Sequence, residues 1–170
     1  MFQAVESSTF HDTSGAAVTT TSQAGRWSYP LAAEFGPRDV TRDLAEFVAT
    51  SGIGTGVLAV QLVGSTGAIT TIEYEDGALA DLRRALDALA PANDDYAHNA
   101  RWGDGNGFSH VRSSLLKTSL AIPVVDGALA LGSWQQVVVL NLDNRRRTRE
   151  VVAVVVGSVK HEARSVKREA

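Results

Sequence analysis

Apolar positions along the chain fall into short runs of two periods, and their order predicts strands interspersed with helices. Val40, Leu44, Phe47 and Val48 have helical spacing behind Asp39, whose carboxylate can cap the free amides of a first turn; Gly52 and Gly54 supply the stop. TGVLAVQLVG reads as a buried strand and AITTIEYE as a second, alternating one. Asp76 opens a second helix with Leu79, Leu82, Leu86 and Leu89 as its apolar stripe and Pro91 as its end. HVRSSLLK reads as a short third helix. AIPVV and ALALG flank Asp126-Gly127, a dipeptide suited to a tight hairpin turn. QQVVVLNL and REVVAVVVG flank the polar DNRRRT and read as a second hairpin. Their valines occupy both alternation phases, so these two strands are expected to be covered on both faces, by a helix, a second sheet or another subunit.

Upstream, AAVTTTSQ and RWSYPLA read as one or two strands interrupted around Ala24-Gly25. Residues 1–15 are polar and aperiodic and, like the charged tail 160–170, are expected to be loosely ordered; His11 and His161 lie in these stretches. At 170 residues and 44% hydrophobic content, the chain is long enough for one domain with a sizeable core. The expectation is a single α+β domain over 1–170. Largely antiparallel sheets would pack against two longer helices and one short helix.

A net charge of −3 argues against nucleic acid or an anionic membrane surface as partner. Arg145, Arg146, Arg147 and Arg149 make a local basic cluster that reads as a solvated hairpin tip. Without cysteine there is no disulfide, thiolate nucleophile or cysteine metal site. No apolar run reaches the length of a membrane span, and the N-terminus lacks the regions of a signal peptide, so a cytoplasmic location is expected.

Candidate chemistry concentrates in PANDDYAHNARWGDGNGFSH. His98, Asn99, Asp104, Asn106 and His110 lie together in a stretch punctuated by Gly103, Gly105 and Gly107. Histidine and aspartate are ligands for a divalent metal and also a plausible acid/base pair. His98 and His110 are too far apart for two ligands on one helix, so a shared site needs the fold to unite them. Arg112 and Lys117 follow and are candidate contacts for a phosphate. Trp134 and Gln135 start a central strand, with Trp134 expected in the core.

The succession DGNGFSH, IPVVDGALALGSWQQ, LNLD ahead of an arginine-rich turn, and a closing Val-rich strand resembles the YjbQ-like family from about Asp39 to Gly157. Its Tyr-x-His-Asn matches Tyr96, His98 and Asn99. Its Asp-x-Asn-x-x-x-His matches Asp104, Asn106 and His110. The family's His-Thr-Thr-Ala is replaced here by Gly64-Ser65-Thr66-Gly67, its Asn-Glu by Ile72-Glu73, and a usual glycine by Lys117. The resemblance implies a homotrimer and a secondary thiamine-phosphate synthase activity, in which pyrophosphate leaves as a C–N bond forms, normally with Mg²⁺. In that scheme Asp104 and Glu73 hold a cation, Arg112 meets a phosphate, and His98 or His110 shuttles a proton. Asn99, Asn106, Lys117 and Gln135 would contact the small-molecule substrate. Asp104, His98 and His110 could hold Mg²⁺ or Zn²⁺ weakly, because Gly64 stands where the family has a histidine. Two alternatives remain open. One is a diverged member catalysing a lyase or cyclisation step in specialised metabolism; the other is a non-catalytic trimeric binding protein.

Overall fold

The computed structural model describes residues 3–11 and 17–159. Strands β1 (Gln3–His11), β2 (Ala17–Leu31) and β3 (Gly36–Asp39) precede helix α1 (Thr41–Thr50). Strands β4 (Ile53–Val63) and β5 (Gly67–Ile72) lead to helices α2 (Asp76–Leu89), α3 (Ala97–Trp102) and α4 (Gly107–Leu116). Strands β6 (Ser119–Val125), β7 (Ala128–Leu129), β8 (Gln136–Asn141) and β9 (Arg147–Val159) close the chain. Six strands form one sheet in the order β1-β2-β9-β4-β6-β7, and three form a second, β3-β8-β5. Every pairing is antiparallel. The α+β class expected from the sequence is what is found, with four helices rather than three. No helix among the described residues is long and apolar enough to cross a membrane.

The small sheet is the middle layer, and β8 explains why. Its Val137 and Val139 join the main core with Leu58, Leu62, Val151 and Val155 of the large sheet and Leu44 and Phe47 of α1. The intervening Val138 and Leu140 face the other way, into a second cluster with Leu86 of α2 and Ala68 of β5. All four are fully buried, each worth about 1.5–3 kcal/mol relative to exposure. The absence of polar alternation in this run therefore marks a strand between two cores. Within the chain, β9 is covered on one face only. One of its faces is buried, through Val151, Ala153 and Val155, while Val154 and Val156 are exposed.

Several other expectations are corrected. The second hairpin does not exist, because β8 and β9 lie in different sheets and DNRRRT carries the chain from one to the other. The Asp126-Gly127 turn is as expected, both residues having positive φ (53° and 78°), but β7 is only two residues long. β2 runs unbroken through Ala24-Gly25. A side chain at Gly25 would strike the Trp27 ring, which packs edge-on against Phe47. Gln3–His11, read from sequence as loose, pairs with β2 along its length; Thr, Val and Phe there favour extended backbone. The tail 160–170, with His161, lies outside the described residues, as do residues 12–16.

Helix ends follow the chemistry more closely than their exact positions. Asp39 does cap α1, accepting from the Thr41 amide at 2.8 Å, but it does so from the end of β3. Glu75, not Asp76, caps α2, accepting from the amides of Gly77 and Ala78. Leu89 is 70% exposed and falls outside the buried stripe of α2.

Candidate functional site

The stretch read from sequence as one polar loop is two helices around a tight corner. α3 carries His98 and Asn99, residues 103–106 turn the chain, and α4 begins at Gly107 and carries His110. Asn99 Oδ1 accepts from the Gly107 amide at 2.8 Å, binding one helix to the first turn of the next. The approach demands glycine, since a Cβ at Gly107 would stand 2.4 Å from that of Tyr96. Tyr96 is fixed in turn by donating to the Pro91 carbonyl at 2.8 Å. Asn144, beyond β8, donates to the Asp104 carbonyl at 2.8 Å and anchors the corner to the sheet.

This packing unites residues that the sequence separates. His98 Nε2 lies 3.3 Å from Asp104 Oδ2, and the rings of His98 and His110 are 4.5 Å apart between centroids. Asn106 is buried, with its amide nitrogen 3.1 and 3.2 Å from the two Asp104 oxygens and 3.2 Å from His98 Nε2 in the orientation these acceptors require. Nε2 thus faces an acceptor in Asp104 and a donor in Asn106. It can meet the first when it carries a proton and the second when it does not. Burial works against the Asp104 charge, but the hydrogen bond and charge of His98, with backbone amides of Asn106 and Asp104, outweigh it and hold the carboxyl below its usual range. The His110 side chain makes no hydrogen bond among the described residues and is free to act on something else.

His110 also stands on the wall of an open cleft of about 410 Å³, together with Gly64, Ser65, Ser114, Lys117 and Thr118. Gly64 reaches it from the end of β4 with φ +121°, a conformation that L side chains rarely adopt. Lys117 ends α4 with φ 74° and ψ 163°, a region populated essentially by glycine and costing of order 1–3 kcal/mol for other residues.

Other candidates are placed elsewhere. Arg112 is 2% exposed, donates to the Ala90 carbonyl and to Asp87, and lies over the Phe108 ring at 4.8 Å. It fastens α4 to the end of α2, so the reading of it as a phosphate contact is corrected. Glu73 lies past the far end of β5, beside Asp39, Tyr74, Glu75 and Trp134. The length of that strand, about 17 Å, separates it from the histidines within one chain. Gln135 belongs to the same far end, where it donates to Thr71 at 3.1 Å. Trp134 is 74% exposed, not in the core. Among the described residues no group of three or more His, Asp or Glu side chains is arranged to hold a metal ion.

Below the cleft lies a feature that the sequence reading missed. Arg149, read as part of a solvated tip, is buried. Its Nε and Nη2 donate to Asn141 Oδ1 at 3.0 and 2.6 Å, and Nη2 donates to the carbonyl and hydroxyl of Thr66. Buried Asp143 accepts from Thr66 Oγ1 and from Arg147 Nε at 3.0 Å. The available signal was polar Asn141 and Asp143 inside an otherwise apolar run, since buried polar side chains need partners.

Comparison with known proteins places this geometry among relatives. Residues 31–158 match the family described as UPF0047 protein YjbQ-like. A UPF0047 protein of Methanothermobacter thermautotrophicus is 37% identical over 116 residues, covering 68% of this chain and 80% of the relative. A crystal structure of a YbjQ-like protein of unknown function from Sulfolobus solfataricus superposes with a TM-score of 0.77 at 25% identity, covering 81% of this chain and 99% of that one. A hypothetical protein from Aeropyrum pernix gives 0.73 at 28% identity, with 79% and 98% covered.

Proposed function

The chain belongs to the UPF0047 (YjbQ-like) family, and from that premise we propose that it is a small-molecule enzyme whose cleft performs acid–base chemistry through His110. The observation that carries this is the cluster behind the cleft. His98 is hydrogen-bonded to Asp104 at 3.3 Å and packs against His110 with ring centroids 4.5 Å apart and planes tilted by 50°, and His110 alone of the three lines the open cleft. His110 exchanges a proton with the substrate, while His98 and the Asp104 carboxylate hold the charge behind it. Asn99 and Asn106 fix the corner that keeps the three together.

The reaction to test first joins a hydroxymethylpyrimidine pyrophosphate to a thiazole phosphate: the ring nitrogen attacks the methylene carbon, the C–O bond breaks and pyrophosphate leaves. Pyrophosphate release and product formation should be measured on the purified chain and on Asp104→Asn. Product from the parent that is lost in the variant is the result expected. No product above the uncatalysed background would exclude this reaction. A lyase or cyclisation step on another metabolite is the second reading. It is favoured by Gly64 in place of a histidine and by the commitment of Arg112 to Ala90 and Asp87.

Two further expectations attach to this reading. A tightly held zinc usually needs three or four protein ligands, and the side chains present do not fit one, so any divalent cation, Mg²⁺ or Zn²⁺, is held weakly at Asp104. Elemental analysis should find well under one zinc per chain; one zinc per chain after gel filtration would overturn this. A homotrimer is supported by the open face of the large sheet, where Val57 pairs with Val156 and Ala59 with Val154, and where Val57, Val154 and Val156 are exposed. Light scattering at micromolar concentration should give the trimer mass, and a monomer mass would refute the assembly.

A further inference from the structure

We propose that the cleft beside Trp134 and Glu73, at the end of the small sheet away from the histidines, binds a small organic cation through a quaternary ammonium group. Trp134 and Tyr74 supply the aromatic walls, and the Glu73 carboxylate supplies the counter-charge. Within the chain this site stands apart from the His110 cleft, and nothing in the acid–base reading requires it.

The cleft has a volume of about 430 Å³, and its walls are Asp39, Glu73, Tyr74, Glu75, Trp134 and Gln136, with no basic side chain. Two of its three carboxylates already cap helices. Asp39 holds the Thr41 amide and hydroxyl at the start of α1, and Glu75 holds the amides of Gly77 and Ala78 at the start of α2. Glu73 is exposed, and its carboxylate has neither a hydrogen bond nor an ion pair among the described residues. The three are not gathered as ligands for a metal ion, so the cleft offers one uncommitted negative charge. Its other free surfaces are aromatic. Trp134 is 74% exposed and Tyr74 40% exposed, whereas a tryptophan usually hides most of its ring. Ring faces attract a cation electrostatically, as a carboxylate does, and tryptophan does so best.

The aromatic walls are tied to the sheet. Asp39 closes β3, Tyr74 follows β5 and Gln136 opens β8, so all three strands of the small sheet meet at this end. Gln136 accepts from the Tyr74 amide at 3.0 Å and donates to the Ser133 carbonyl at 3.3 Å, joining both aromatic segments to one side chain. The Gln135 amide donates to the Gly132 carbonyl at 3.0 Å, closing the turn that carries Trp134. The Tyr74 hydroxyl donates to the Pro37 carbonyl at 3.4 Å. These bonds also decide which cation fits. A primary ammonium brings three N–H donors, but Gln136 and two of the carboxylates are already engaged, and Glu73 alone is free to accept. A quaternary nitrogen brings no donor and presents methyl groups to the rings, so one carboxylate and two aromatic faces satisfy it.

The test titrates choline into the full chain at constant ionic strength and follows the choline methyl proton resonance. Parallel arms use 3,3-dimethylbutan-1-ol, which has the same shape without the charge, and methylammonium, which has the charge but carries N–H donors. Choline should bind saturably with its methyl line shifted upfield, the direction that a ring face imposes. Each parallel probe should bind more weakly by about tenfold or more. Trp134→Ala should lose about tenfold or more in choline affinity, while Trp134→Tyr should keep it within a few-fold. Glu73→Gln should weaken choline and leave the neutral alcohol unchanged. Both side chains are exposed, so the variants should melt with the parent and keep its mass by light scattering. Undiminished choline binding in Trp134→Ala, equal binding of the neutral alcohol, or no shift with the parent at tens of millimolar choline would each overturn the proposal. A changed mass in Trp134→Ala would also overturn it, by making the indole a contact between copies. None of these readouts involves turnover, so this proposal and the acid–base reading can each fail without the other.

Discussion

Arg149→Ala should destabilise the protein by about 3–5 kcal/mol, the range for removing one partner of a buried charged network. The guanidinium satisfies Asn141 and Thr66 at once and stands 3.9 Å from Asp143, itself almost wholly buried. Deleting it leaves those groups out of reach of water and opens a void between the two sheets. Urea denaturation of parent and variant gives the difference directly. Arg26→Ala is the control. Its ion pair with Glu150, at 2.6 Å, is exposed at both ends, and such pairs are worth about 1 kcal/mol or less. If both variants lose the same small amount, the buried network is not what joins the sheets.

His110→Ala should lower turnover by about 10²–10⁴, the usual contribution of a positioned acid–base group, with stability unchanged within about 1 kcal/mol. The two parts separate because His110 is half-buried and no protein hydrogen bond among the described residues depends on it. Arg112→Ala offers the opposite pattern. It strands the Ala90 carbonyl and removes the cation from the Phe108 face, so it should melt well below the parent. A His110→Ala protein that melts far below the parent yet turns over normally would make His110 a structural residue.

How much of this was legible in the sequence depends on what each residue type can reveal. Periodicity exposed the double burial of β8, because a run without polar alternation has no wet face to offer. It could not say which sheet a strand joins. β8 and β9 look like two arms of a hairpin, with a polar turn of ordinary length between them, and the distinction lies in partners distant in sequence. The motif around His98, Asp104, Asn106 and His110 was visible as residue types. Their closeness was not, since α3 is short and sits among glycines that read as loop. The two arginines were misread for a common reason. An arginine among arginines looks solvated and an arginine after a glycine-rich loop looks like an anion contact. Only the carbonyl of Ala90, the Phe108 ring and Asn141 reveal that both are structural.

One consequence of the doubly buried strand concerns slippage. In a strand with one wet face, a slide of one residue exposes every apolar side chain and is strongly disfavoured. In β8 the same slide only exchanges one pair of aliphatic residues for another, Val137 and Val139 for Val138 and Leu140, so hydrophobicity alone barely discriminates between the two alignments. Discrimination falls instead to polar residues at its ends. Gln136 accepts from the Tyr74 amide at 3.0 Å at one end. At the other, Asn141 donates to the carbonyls of Ala32 and Arg145 and accepts from Arg149. These two amides act as locating pins for a strand whose middle could fit either way, and the cleft and its histidines inherit their position from those pins.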